Sequence, residues 1–107
     1  MLHRPDPLSE ADLRRVFVKA LNSPEGPLYS PKLFEKLERH GVSIHDLLHV
    51  CRNWELIRST RWQYGEWRYR VEGLNLDGKW MAVVVSVKSP SSILAITGFR
   101  FARGKTS

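Results

Sequence analysis

Apolar and polar positions recur along this chain with two different periods, and the change falls near residue 55. Before it, apolar residues return every three or four positions, the spacing that keeps them on one side of a helix. Leu13, Val16, Phe17, Ala20 and Leu21 form the first such stripe. Ser9 precedes it, where a hydroxyl can accept from a free N–H of the first turn, and Asp12 follows three residues on, so a helix is predicted from Glu10 to Leu21. The run Asn22-Ser23-Pro24-Glu25-Gly26-Pro27 ends it. A second helix is predicted from Ser30-Pro31, because proline at the first helical position loses no hydrogen bond there; it continues through Leu33, Phe34 and Leu37 to a stop at Gly41. Ser43 and Asp46 repeat the start signal for a third helix, with Ile44, Leu47, Leu48 and Cys51 on its apolar side and His45, His49 and Arg52 beside them.

From Glu55 onward the period is two. Leu56 to Trp62 suits a first strand that ends near Tyr64-Gly65. In the second, Trp67, Tyr69 and Val71 point one way and Glu66, Arg68, Arg70 and Glu72 the other, which predicts one core face and one wet face. The third, Lys79 to Val87, is apolar on both sides and reads as the central strand. Asp77-Gly78 between these two runs predicts a type I′ hairpin, since both residues tolerate positive φ. A fourth strand is expected from Ile93 to Phe99. The plan is a single α+β domain over residues 1–107, with three N-terminal helices (9–53) packed on one face of a four-stranded antiparallel sheet (55–100) and loose ends at 1–8 and 102–107.

With 42% hydrophobic and 26% charged residues the composition is that of an ordinary globular domain, which excludes a disordered chain. No stretch approaches the ~18 apolar residues of a membrane span, and the charged, proline-bearing start does not read as a signal peptide. The expectation is a soluble, cytoplasmic protein without membrane contact. Its lone cysteine, Cys51, cannot close an internal disulfide and lies on an apolar helix face, as an inert buried thiol does. Charge changes the picture more. Residues 1–51 hold seven Lys/Arg and seven Asp/Glu, whereas residues 52–107 hold ten against four, so the whole net charge of +6 belongs to the strand-rich half. A basic sheet suits a polyanion or an acidic protein.

The side chains able to use that charge lie on the polar side of the second strand. Arg68 and Arg70 are about 7 Å apart by strand rise, the spacing of adjacent phosphate contacts. Trp80 shares their side if the register holds and can stack a base, while Arg61, Lys88 and Arg100 extend the cationic track. The competing reading is that the two arginines pair with Glu66 and Glu72 and that Trp80 fills a minor core. His45 and His49 have the i, i+4 spacing of metal ligands, but no second ligand pair accompanies them, so no metal is expected. His49 is the candidate proton carrier if the third helix borders the open face. Phosphate-binding glycine loops, paired cysteines and a nucleophile elbow are all missing, and no cofactor is expected.

Two stretches carry a resemblance. Tyr29-Ser30, then Leu37-Glu38-Arg39-His40-Gly41-Val42-Ser43-Ile44-His45-Asp46-Leu47, resembles the helix, Gly-(Ile/Val)-Ser, helix signature of a bacterial domain family similar to toxins of the BrnT and RelE type. Arg68-Tyr69-Arg70-Val71-Glu72-Gly73, Asp77-Gly78-Lys79 and Ile93-Leu94-Ala95-Ile96-Thr97-Gly98 resemble its sheet in order and spacing. Where members of the family carry a histidine in Ser-x-His-Ala, this chain has Lys32. The resemblance implies a BrnT/RelE-like fold and a toxin-like protein that binds or cleaves mRNA as a metal-independent endoribonuclease, held by a small acidic antitoxin-like protein. His49, Arg68 and Arg70 are then the catalytic candidates. Two alternatives stand beside it: a non-catalytic module binding RNA or an acidic protein on the basic sheet face, and a mobile-element or stress-associated protein whose sheet edge pairs with itself, as a homodimer, or with a partner chain by strand addition.

Overall fold

In the computed structural model, which describes residues 4–102, the chain runs through eight elements. They are α1 (Glu10–Asn22), β1 (Leu28–Tyr29), α2 (Leu33–Arg39), α3 (Ile44–Asn53), β2 (Leu56–Gln63), β3 (Glu66–Leu74), β4 (Trp80–Ser89) and β5 (Ser92–Arg100). Val83 and Val85 on one side of β4 and Ala82 on the other are all fully buried, so this strand takes cover on both faces. It occupies the middle of a five-stranded sheet of order β1-β5-β4-β3-β2. The α+β plan and the central strand agree with the pattern of the sequence.

The sheet departs from the expected four-stranded antiparallel meander by one strand. Leu28 and Tyr29 pair in parallel with Leu94 and Ala95, at the edge opposite β2. Two residues carry no alternation to read. Ser30, expected as a helix cap, serves this edge instead: its N–H donates to the Ala95 carbonyl at 3.0 Å and its hydroxyl to the Ile96 carbonyl at 3.2 Å. The second helix accordingly starts later, at Leu33, with Lys32 as a cap residue that makes no side-chain bond.

The hairpin turns exchange roles as well. Tyr64 and Gly65 both adopt positive φ (54° and 74°) in the two-residue connection between β2 and β3, the geometry predicted for Asp77-Gly78. Between β3 and β4 only Gly78 is left-handed, at φ 73°. There the Gly78 N–H donates to the Asn75 carbonyl and the Asn75 N–H to the Lys79 carbonyl, a three-residue loop of the bulged kind. Asn75 holds it closed, its Oδ1 accepting from the N–H groups of Asp77 and Lys79 at 2.9 Å each.

One face of the sheet receives the helices. Leu13 and Phe17 of α1, Leu33 and Leu37 of α2, and Leu47 and Val50 of α3 join Val71, Met81, Val83 and Ile93 in one buried cluster. The end of α3 passes so close to β3 that a Cβ on Gly73 would stand 2.9 Å from the Trp54 Cα. The β2 end of this face is covered differently. Residues 4–8, expected as a loose lead-in, lie on it: the Trp67 indole donates to the Pro5 carbonyl at 2.6 Å and the Leu8 N–H to the Tyr69 hydroxyl at 2.9 Å. Of the expected loose tail only Ala102 falls within the described residues. No helix among them is long and apolar enough to cross a membrane.

Asp46 ties the two halves of the chain together. Its carboxylate accepts from the Ser43 N–H and hydroxyl at 3.1 Å, closing the predicted capping box, and from the Leu76 N–H of the β3–β4 loop at 3.2 Å. Burial alone would raise this carboxyl; the Ser43 and Leu76 N–H groups, the Ser43 hydroxyl and the Arg100 charge outweigh it and hold the group below the ordinary aspartate value.

Two consequences are measurable by urea unfolding. Gly73→Ala should destabilise the domain by about 2 kcal/mol, because the added methyl meets backbone that cannot move aside; an unchanged midpoint would contradict the α3–β3 contact. Asp46→Asn should cost about 1–2 kcal/mol at neutral pH, as expected for hydrogen bonds to a charged acceptor. Because the folded-state pKa is lowered, that contribution is present above the unfolded value of about 3.9 and lost as pH falls below it. The gap between parent and variant should therefore narrow progressively as the pH falls below that value.

Candidate functional site

The face of the sheet turned away from the helices carries the polar residues of β3. Alternation that sends Tyr69 and Val71 inward sends Glu66, Arg68, Arg70 and Glu72 outward. Pairing then sets their neighbours: Arg61 lies opposite Arg68, Ser59 opposite Arg70 and Gln63 opposite Glu66 on β2, and Val84 lies opposite Arg70 on β4. Across β4, Phe99 pairs with Ala82 and Thr97 with Val84. Arg61, Arg68, Arg70, Ser59, Gln63 and Phe99 line a depression of about 380 Å³, which Lys36 of α2 also borders.

The ion pairs foreseen as the competing reading are present. Glu72 is fully buried, its Oε1 accepting from Arg58 Nε at 3.1 Å and its Oε2 from Arg70 Nε at 2.9 Å. The guanidinium of Arg70 also lies over the rings of Phe99 and Phe101, at 5.0 and 5.2 Å from their centroids. Arg70 is thus held in place on three sides. Glu66 accepts from Lys88 Nζ at 2.6 Å. Burial would raise the Glu66 carboxyl, but the Lys88 bond and charge, with the Arg68 charge and the Ser86 hydroxyl, hold it below the ordinary glutamate value.

Arg61 and Arg68 are arranged otherwise. They stand directly opposite each other on neighbouring strands, where like charges repel. Arg61 is exposed and makes no ion pair among the described residues. The Arg68 Nε is buried and forms an ion pair with Glu66 at 3.5 Å, as the competing reading foresaw, without making a hydrogen bond. Its guanidinium rests over the Tyr64 ring at 5.1 Å. An anion at this place would give Arg61 the counter-charge that Glu66 already gives Arg68.

Of the residues singled out from the sequence, Arg61, Arg68 and Arg70 come together. Trp80 shares their face, but its pairing with Leu74 puts it at the far end beside the β3–β4 loop. Lys88 lies at the other end, tied to Glu66. Arg100 does not join them: it pairs with Met81, whose side chain faces the helices, and its Nη2 is 3.3 Å from where a Cβ on Gly41 would be. His49 is half-buried on α3, in the helix layer, so the sheet separates it from both arginines. No cluster of metal-ligating side chains occurs among the described residues. Cys51 is buried, which pushes its thiol up to about 12, far from a reactive thiolate. Phe99 and Arg58 escaped the sequence reading. Plain alternation from Ile93 and Ala95 puts Phe99 on the helix face; the irregularity between Val84 and Val85 turns it outward. Arg58 sits in a register irregularity between Ile57 and Ser59, where alternation fails.

No protein-family model matches this chain, and no curated protein matches it either.

Glu72→Ala should destabilise the domain by about 3 kcal/mol, because it removes a buried carboxylate and leaves two guanidinium groups without their acceptor. Thermal unfolding with Glu72→Ala and Arg58→Ala separately and together measures this. Losses that simply add would contradict the coupling.

Proposed function

We propose that the outer sheet face is a binding surface for single-stranded RNA and that the chain is a non-catalytic binding module. The supporting observation is the registered pair Arg61 and Arg68, cations at facing positions of neighbouring strands, of which Arg68 shares Glu66 with Lys88 and Arg61 has no ion pair among the described residues. A bridging phosphate is the anion whose charge and oxygens answer both guanidinium groups. Phe99, half-buried beneath Arg70, lines the same depression, while Ser59, Gln63 and Thr97 supply neutral donors and acceptors along it.

Cleavage asks for more than binding. A proton acceptor for the 2′-hydroxyl and a donor for the leaving oxygen must stand beside the phosphate. Glu66 and Glu72 are engaged with cations, and His49 lies on the other side of the sheet. These facts favour binding over the ribonuclease reading. A toxin of the BrnT and RelE type would use the same face, and strand breakage is the outcome that would restore that reading. An acidic antitoxin-like protein would compete with RNA there. A second copy added along the β2 edge would bring more cations, Arg58 and Arg61, to a surface already rich in them.

Fluorescence anisotropy with a labelled single-stranded RNA dodecamer tests the reading. Binding should weaken as salt rises, and Arg61→Ala with Arg68→Ala should flatten the logarithmic salt slope by about 0.7 for each phosphate contact removed. Affinity that ignores both substitutions would overturn the assignment of this face, and product bands on a denaturing gel would replace a binding module with an enzyme.

A further inference from the structure

The helix-side face of the sheet has a second feature that the RNA-binding reading does not use. Trp62 and Trp67 are paired across β2 and β3 with their rings edge to face, 5.3 Å between centroids. Tyr69 follows Trp67 on the same side. This aromatic shelf is covered by residues 4–8 of the chain itself, in an arrangement that reads as ligand on receptor. Proline fixes its own φ near −65°, and the residue before a proline is pushed to extended backbone. Arg4-Pro5-Asp6-Pro7 is therefore committed to an open, polyproline-like path by its sequence alone.

Each contact along that path is of the kind aromatic receptors make with such segments. The Trp67 indole N–H donates to the Pro5 carbonyl, an acceptor that an extended segment leaves free. The Arg4 guanidinium lies over the Trp67 ring, 5.0 Å from its centroid. The Tyr69 hydroxyl accepts from the Leu8 N–H. The segment does not fill its seat. A space of about 390 Å³ remains along Pro5, Trp62, Trp67 and Tyr69, and another of about 430 Å³ opens beyond Leu8 toward Val16 and Val87.

We propose that the Trp62–Trp67–Tyr69 shelf is a docking site for an extended, proline-spaced peptide segment of a partner protein, and that Arg4–Leu8 is its tethered occupant. The occupant names the chemistry of the partner: a cation to lie on an indole, a proline whose carbonyl accepts from it, and an apolar residue after the second proline. A tethered segment competes at millimolar effective concentration, so an incoming peptide gains only when it fills the spaces the tether leaves or when the tether is loosened. The shelf and the arginine face lie on opposite sides of the sheet, and the two can be occupied at once.

The test uses the full chain and a blocked synthetic peptide of sequence Arg-Pro-Asp-Pro-Leu-Ser, followed through the tryptophan indole N–H signals in nuclear magnetic resonance spectra, with the Trp67 signal assigned from Trp67→Phe. In the doubly substituted Pro5→Gly, Pro7→Gly chain, which keeps Ser9 and its cap, the peptide should shift the Trp67 signal at a concentration at least about tenfold lower than in the parent. The same peptide with alanine for both prolines should fail. Arg4→Ala, a milder loosening that leaves the backbone untouched, should change the response in the same direction if the glycine variant does not fold. No Trp67 shift in a folded loosened chain, a response equal to that of the alanine peptide, or self-association of the loosened chain in place of peptide binding would each overturn the proposal.

Discussion

With apolar side chains on both faces of β4, neither side of the sheet can be left to water, and most of the architecture follows from covering them. The helices supply one cover. The other is built from the neighbouring strands, because no further element crosses that face among the described residues. Phe99 pairs with Ala82, and Arg70 is laid over Phe99 and Phe101, so aliphatic and aromatic carbon closes over β4 while the charged ends stay at the rim. A guanidinium used in this way needs an anchor, and Glu72 provides it from a fully buried position.

That requirement divides the arginines into two groups. Arg58 and Arg70 belong to the cover, held by a carboxylate whose desolvation costs several kcal/mol and is offset only while both partners are present. Arg61 and Arg68 lie further along the strands, beyond the reach of Glu72, and repel each other across the β2–β3 pair. Their placement does little for folding: opposed like charges on neighbouring strands are destabilising. Glu66 offsets part of that conflict at Arg68 and leaves Arg61 without a counter-charge among the described residues. The excess positive charge of the strand-rich half is thus sorted by strand register into arginines that cover β4 and arginines that do not.

Much of the fold was legible because it rests on local rules. Ser9 and Ser43 cap the helices assigned to them, and alternation in β3 and β4 sorted Tyr69, Val71, Met81 and Val83 from Arg68 and Arg70. The failures depended on partners that local pattern does not reveal, most of them distant in sequence. Ser30 looked like a cap until Ala95 and Ile96 claimed it. Asp77-Gly78 had the composition of a two-residue turn, yet the Asn75 side chain drew the loop into a longer form. Pro5 and Pro7 suggested a free end, and only the opposing aromatic shelf explains why the segment is seated. Within the candidate site, Arg61 with Arg68 was within reach of alternation. Arg100 was misplaced because the irregularity between Val84 and Val85 shifts the face on which β5 residues fall.

In the proposed binding mode, strand register rather than net charge decides where an anion settles on the outer face. Nitrogen-detected titration of the arginine Nε–H signals with a single-stranded RNA tests it most directly, because each guanidinium reports for itself. The account predicts that the Arg61 and Arg68 signals move together and first, while that of Arg14, which donates to the Trp54 and Glu55 carbonyls from α1, stays where it is. Equal movement of all arginines, or movement confined to those of the helix layer, would contradict it.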